Sequence, residues 1–258
     1  MGNVFVRPAL ALRLASIAMM LIASFSVMAK AGNMAPLPYA MRSYEQYSSL
    51  TNETWWKCTY PVFSGSPASE KINRILLDAV AGIDPSSLQG APVSLQAAAA
   101  VFIRDFDEIR KDFPETMPYQ SETTGVVVFN RSGRLTVGIT FDAFTGGAHG
   151  MRSTLYYVFD TATGKRLTLN ELFIPGFQTR LDALIDRRFR KMKGLSKSDR
   201  LDGDQGTLFE NFIRHSENFA VTELGITFYY NPYEIAAYVY GPTAIDLKWQ
   251  ELKGILKP

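Results

Sequence analysis

The sequence predicts an α+β fold: antiparallel sheet with helices packed on one side. Three observations predict it. Residues 66–113 contain two stretches with apolar side chains at helical spacing. Residues 135–143 alternate apolar with mostly polar or small side chains, the mark of a half-buried strand. The elements also fall into groups (strand, helices, strands, helices, strands) rather than the regular alternation of a parallel sheet.

The first thirty-one residues stand apart from this fold. They contain Arg7, Arg13 and Lys30 but no acidic residue, and Leu14 to Ala29 is a run of 16 uncharged residues. A membrane span needs about 20. The run fits a signal peptide, and Ala29-Lys30-Ala31 is a small-x-small cleavage site, so residues 1–31 are read as a leader for export to the periplasm or the medium. A membrane association follows only if this leader is not cleaved. Residues 32–52, polar and with Pro36 and Pro38, read as a flexible lead-in.

Residues 53–63 then form a strand rich in aromatics. Ser66 caps a helix with Pro67 in its first turn, and Gly82 and Pro85 end it. A second helix spans about 94–113, its apolar stripe being Phe102, Phe106, Ile109 and Phe113. Strands at 126–129, 135–143 and 152–160, with turns between them, form an antiparallel meander. A third helix buries Phe177, Leu181, Leu184, Ile185, Phe189 and Met192. Residues 193–206 are a charged loop, and Leu208, Phe209, Phe212 and Ile213 predict a fourth helix over 207–217. Strands are expected at 226–230, 235–240 and 245–249, with a closing helical turn at 251–256.

Composition excludes several functions. Removing the leader leaves 24 basic and 25 acidic residues, so no basic footprint for nucleic acid remains. One cysteine, Cys58, cannot make an internal disulfide, a zinc finger or a dithiol redox pair, and its aromatic surroundings suit a small buried strand residue. His149 and His215 are the only histidines and make no H-E-x-x-H pair. Asp199, Asp202 and Asp204 do not have the spacing of a calcium loop. No phosphate-binding loop, dinucleotide fingerprint or nucleophile elbow occurs. No catalytic residue, cofactor or metal ligand is assigned.

Two stretches carry a resemblance. Phe159-Asp160, Thr163-Gly164-Lys165, Glu171-Leu172-Phe173, Phe228-Tyr229-Tyr230 and Asn231-Pro232-Tyr233-Glu234-Ile235-Ala236 resemble the C-terminal domain of the RsiV-type family of exported bacterial proteins. Tyr60-Pro61, Ile72-Asn73 and Gly146-Gly147-Ala148-His149 resemble the domain that precedes the catalytic part of PdaC-type peptidoglycan deacetylases. Residues 53–150 and 151–258 are divided between the two on this basis. The chain departs from the family pattern at Ala237, where proline is common.

The resemblance implies that the two halves form one exported globular unit, close to cell-wall sugar or its hydrolases because the family's sensor binds lysozyme. It therefore implies a non-enzymatic binding protein whose partner is a lysozyme-like muramidase or peptidoglycan. Candidate partner-binding residues are His149, in a glycine-rich turn, and Tyr233, Glu234, Tyr238 and Tyr240, in the tyrosine-rich segment. Aromatic rings with polar tips favour interfaces and stack on sugars. Tyr238 and Tyr240 would share one face of the strand expected at 235–240. Binding of polysaccharide is the alternative. A third reading, hydrolysis of a glycoside, would use two of Asp142, Asp160 and Glu234, if they met across a cleft.

Overall fold

The computed structural model describes residues 35–82 and 93–258. The leader read at 1–31 and Pro85 lie outside the described residues. The elements run β1 (Tyr39–Tyr47), β2 (Trp55–Phe63), α1 (Pro67–Ala81), α2 (Leu95–Asp112), β3 (Gln120–Arg131), β4 (Arg134–Phe144) and β5 (Met151–Asp160). They continue with α3 (Leu169–Leu172), α4 (Gln178–Lys193), β6 (Phe219–Val221), β7 (Gly225–Tyr230), a 3-10 turn (Tyr238–Tyr240) and β8 (Thr243–Lys248). Two sheets result, β1-β2-β3-β4-β5 and β6-β7-β8. All pairings are antiparallel except β2 with β3, which α1 and α2 connect as a crossover. The α+β class read from the sequence is the observed one.

Local chemistry explains most boundaries. The Ser66 hydroxyl accepts the Ser69 N–H at the start of α1, Pro67 occupies the first turn, and Gly82 closes the helix at φ +60°. Ser94 caps α2 through the Ala97 N–H. The parallel pairing of β2 with β3 stops at Thr59–Thr124, just before Pro61, which has no N–H to offer a neighbour. The Pro61 ring lies so close to Gly125 that a β-carbon there would come within 2.9 Å of it, which explains the glycine.

Each sheet has its own core. Leu135, Val137, Ile139, Tyr157 and Phe159 on one face of the large sheet pack with Trp56, Cys58 and Tyr60 against Ile72, Leu76 and Ala99 of the helix pair. Val158, on the opposite face, joins the second core, where Leu181, Ile185 and Phe189 of α4 cover Phe228, Ile245 and Leu247 of the small sheet. The buried Thr136 hydroxyl donates to the Val221 carbonyl at 2.7 Å and ties β4 to β6. At roughly 1.5–3 kcal/mol for each large side chain buried, these two cores dominate stability.

Three readings of the sequence need correction. The lead-in is not flexible over 39–47: that segment is β1, paired along its whole length with β2. It is fixed from outside the local sequence, because the Asn130 side chain both donates to and accepts from the backbone of buried Leu37, at 2.9 Å each way. The division at 150/151 runs within the large sheet, where β5 is the antiparallel neighbour of β4. Residues 207–217 are not a helix. Phe209 N–H instead bonds Ile235 O at 2.9 Å and Leu208 bridges Ala236, so this segment spends its hydrogen bonds on a neighbour. Residues 235–240 are not a strand: beyond that bridge the chain folds on itself, Tyr240 N–H to Ala237 O and Gly241 N–H to Tyr238 O.

The stripe on α2 is also displaced. Its buried residues are Leu95, Ala98, Ala99, Ile103 and Phe106, while Phe113 is 67% exposed. The small alanines allow the first half of the helix to approach the sheet, and the end of the helix carries no buried residue.

Candidate functional site

The site is assembled where the β4–β5 loop meets the turn after β7. The loop, residues 145–150, reverses direction through Gly146 and Gly147, at φ +91° and +90°. A β-carbon at either would meet nothing, so backbone conformation alone requires glycine there. The loop presents His149. After β7, Asn231-Pro232-Tyr233-Glu234 forms a tight turn closed by Glu234 N–H to Asn231 O at 3.1 Å. Proline suits its second position, but Tyr233, in the third, adopts φ +69°, a conformation usually left to glycine or asparagine.

Asn231 locks this turn to the sheet. β5 is an edge strand, and its Thr154 N–H donates to Asn231 Oδ1 at 2.6 Å while Asn231 Nδ2 returns a bond to Thr154 O at 3.2 Å. Asn218 repeats the device: Tyr156 N–H donates to its Oδ1 at 2.8 Å and its Nδ2 donates to Thr154 O at 2.7 Å. Two side-chain amides thus occupy a free strand edge as a neighbouring backbone would, and block edge-to-edge pairing.

Three of the five residues singled out in the sequence meet here. The imidazole of His149 lies on the ring of Tyr238, centroids 4.2 Å apart and planes 18° from parallel. Tyr233 flanks the other partner of this stack, 5.5 Å from Tyr238. Glu234 stands beside it and accepts from Asn231 Nδ2 at 3.1 Å. Tyr240 does not join: with no strand over 235–240, it is approached instead by the Lys193 ammonium, 5.8 Å from its ring. Val239 (82%), Tyr240 (52%) and Tyr233 (50%) are exposed, an apolar knuckle facing solvent.

Of the three carboxylates read as candidates for a hydrolytic pair, Asp142 and Asp160 do not converge. Asp142 and Asp160 face Arg152 and Arg134 at opposite ends of the β4–β5 pair. Eight residues of strand, at about 3.3 Å each, separate those ends, far beyond the roughly 5 to 10 Å that glycoside hydrolysis uses. Partial burial would raise the Asp160 pKa, but bonds from Thr163, Arg134 and Ala162 outweigh it and lower it. Asp160 is therefore an ionised turn-former. Asp199 accepts from the Ser196 N–H and Asp202 holds Arg200. Among the described residues no three histidine, cysteine or acidic side chains are placed to hold a metal.

One pairing has no sign in the sequence. The His215 ring and backbone both donate to Asp182 Oδ1, at 2.6 and 2.8 Å. His215 lines a cleft of about 410 Å³ with Phe209, Phe212 and Glu234. No local pattern joins residues in α4 and in an irregular segment, so only the fold reveals it.

These features define an α+β scaffold with exposed aromatic residues at the turn after β7. Residues 48–152 match the family model described as deacetylase PdaC, and residues 170–250 match that of a protein of unknown function, DUF3298, in that order along the chain. A DUF3298 family structure from Bacteroides fragilis aligns with TM-score 0.65 at 18% identity, over 88% of this chain and 94% of that one. A second, from Pseudomonas aeruginosa, aligns with TM-score 0.64 at 21% identity, over 87% and 96%. At such identities the likeness is one of fold. No curated protein matches the sequence.

Proposed function

We propose that this chain is an exported, non-enzymatic binding protein whose partner docks on the knuckle of Tyr233, Val239 and Tyr240 and on the His149–Tyr238 stack behind it. The observation that carries the reading is the exposed Tyr233 held at positive φ. Backbone strain and exposed aromatic surface each cost a free protein something, and together they favour a surface kept for a partner.

Export is inferred from the basic, apolar and small-x-small order of residues 1–31. No described helix is long and apolar enough to cross a membrane. For the partner we infer a lysozyme-like muramidase, on the resemblance of the tyrosine-rich segment to the RsiV-type family. A protruding aromatic knuckle suits insertion into an enzyme cleft. The chain without its leader is nearly neutral, so shape rather than long-range charge would supply affinity. The second reading is a peptidoglycan or polysaccharide module. It is favoured by the flat His149–Tyr238 face, on which a sugar ring could stack.

The test is to mix the purified chain with lysozyme and with a panel of bacterial muramidases, following complex formation and cell-wall lysis. Complex formation weakened by Tyr233→Ala and Tyr240→Ala supports the first reading. Binding to peptidoglycan alone supports the second. Binding to neither removes both.

A further inference from the structure

A larger cleft, of about 790 Å³, lies between α4 and residues 211–213. Arg187 and Lys191 stand on its helical wall one turn apart, and Lys197 reaches it from beyond the helix end. Two carboxylates also line it, but both are engaged. Asp182 is held by His215, and Asp186 takes two bonds from Arg190 Nε, at 2.9 and 3.1 Å. Among the described residues no carboxylate pairs with Arg187, Lys191 or Lys197. The cleft is therefore cationic.

The facing wall has a different character. Phe212 is half exposed there, with the Arg214 guanidinium 4.9 Å from its ring centre. Asn211 lines the cleft too, and its Oδ1 is already taken by the Leu201 N–H at 2.8 Å. What Asn211 has left to offer is its amide N–H pair, a donor. The helix dipole would account for cations in the last turn of α4. It accounts for Lys191, but not for Arg187, which precedes that turn, nor for Lys197, which lies outside the helix.

We propose that this cleft binds a glycan bearing carboxylate groups, with a sugar ring against Phe212 and carboxylates on Arg187 and Lys191. Cations alone would suit any anion. The aromatic face adds a preference for a pyranose ring, and Asn211 adds a donor for a hydroxyl or acetamido oxygen. Four residues of helix, about 6 Å along its axis, separate Arg187 from Lys191, comparable with the step between sugars in an extended chain. The site goes beyond the knuckle and does not depend on a protein partner being found there.

Three polymers test it by retention on, or titration of, the purified chain: polygalacturonate, which has rings and carboxylates; polyphosphate, which has charge without rings; and dextran, which has rings without charge. The chain is expected to prefer polygalacturonate over both others. Replacing Arg187→Gln and Lys191→Gln together should weaken that binding at least about tenfold, the loss of charge-assisted hydrogen bonds. Phe212→Ala should weaken it about three- to tenfold and leave polyphosphate binding unchanged. All three positions are exposed, so thermal midpoints should hold and show that the variants fold. Absence of polygalacturonate binding would overturn the proposal, as would binding indifferent to the double substitution. Polyphosphate bound as well as polygalacturonate, with no effect of Phe212→Ala, would reduce the cleft to an unselective cationic patch and equally overturn it.

Discussion

His149 and Tyr238 donate to the same acceptor: the imidazole Nδ1 lies 2.8 Å and the phenol oxygen 3.1 Å from the Gly150 carbonyl. A carbonyl can only accept, so Nδ1 carries a proton and Nε2 is the nitrogen left free. The two stacked rings thus hold the end of the glycine-rich loop through one carbonyl. Tyr238→Phe should keep the stack, lose one bond and cost about 1 kcal/mol. Tyr238→Ala should cost more and release the loop. Hydrogen exchange is the measurement: amides of residues 145–150 should exchange faster in Tyr238→Ala, with those of α1 unchanged. Equal exchange in the two variants would mean that the stack does not hold the loop.

The amides of Asn218 and Asn231 give a second prediction. Either residue changed to alanine leaves backbone groups of Thr154 or Tyr156 without their partner. These groups are part-buried, so each substitution should cost about 1 kcal/mol, the low end for an unsatisfied group, and lower the thermal midpoint by a few degrees. Both act on the Thr154 carbonyl, so the double variant should depart from additivity in a double-mutant cycle. Simple additivity would show two independent anchors.

That pair also shows what a sequence can and cannot disclose. The Ser66 cap of α1, the β3–β4–β5 meander and the alternation of Ile226, Phe228 and Tyr230 depend on neighbours in the chain, and all are legible. Asn218 acts 62 residues from Tyr156, and Asn130 acts 93 from Leu37, so neither the edge cover nor β1 has a local sign. The apolar spacing over 207–217 suggests a helix because periodicity cannot see a competing partner; residues 235–236 take those hydrogen bonds. His149, Tyr233 and Tyr238 are legible as residue types and as a resemblance. Their stacking, the exclusion of Tyr240 from it and the His215–Asp182 pair are set by tertiary structure alone.

Glu171 predicts a response to acid. Its carboxylate is bonded by Lys165, then by the hydroxyl and backbone N–H of Thr168, and these hold its pKa at about 2 against an ordinary 4.5. A depressed pKa favours the folded state wherever the group is ionised in both states. The contribution is therefore full above about pH 4.5 and is lost as pH falls from 4.5 through 2. Glu171→Gln should be less stable than the parent at neutral pH, and the gap should close over that window. Urea midpoints at pH 7, 4 and 2.5 would measure it. A gap independent of pH would mean that the ionised carboxylate is not the source.

Cys58 predicts chemical silence. It lies in the core on β2, and burial pushes its thiol up to about 11. Only the thiolate reacts quickly, and there is little of it at pH 8. A disulfide-exchange reagent such as Ellman's should leave the native protein unmodified at that pH and react with one thiol per chain in denaturant. Rapid labelling of native protein would place Cys58 in an opening region of the sheet, and would mark the β1–β2 end as the weakest part of the core.

The sharpest prediction concerns Tyr233, because it separates stability from function. A residue with a β-carbon loses roughly 1–2 kcal/mol in the left-handed region, and glycine does not. Tyr233→Gly removes that strain at φ +69° and forfeits a tilted contact with Tyr238, worth about 0.5–1.5 kcal/mol. The two effects nearly cancel, so the urea midpoint should stay level or rise slightly. If the tyrosine is kept for a partner, binding should nevertheless fall, because half of the side chain faces solvent and only a partner can use that surface. Tyr233→Asn, whose side chain tolerates the same backbone, should behave alike in both measurements. A clear loss of stability in both variants would make Tyr233 a packing residue. A level midpoint together with intact binding to every muramidase and glycan that binds the parent would remove the knuckle from the functional surface.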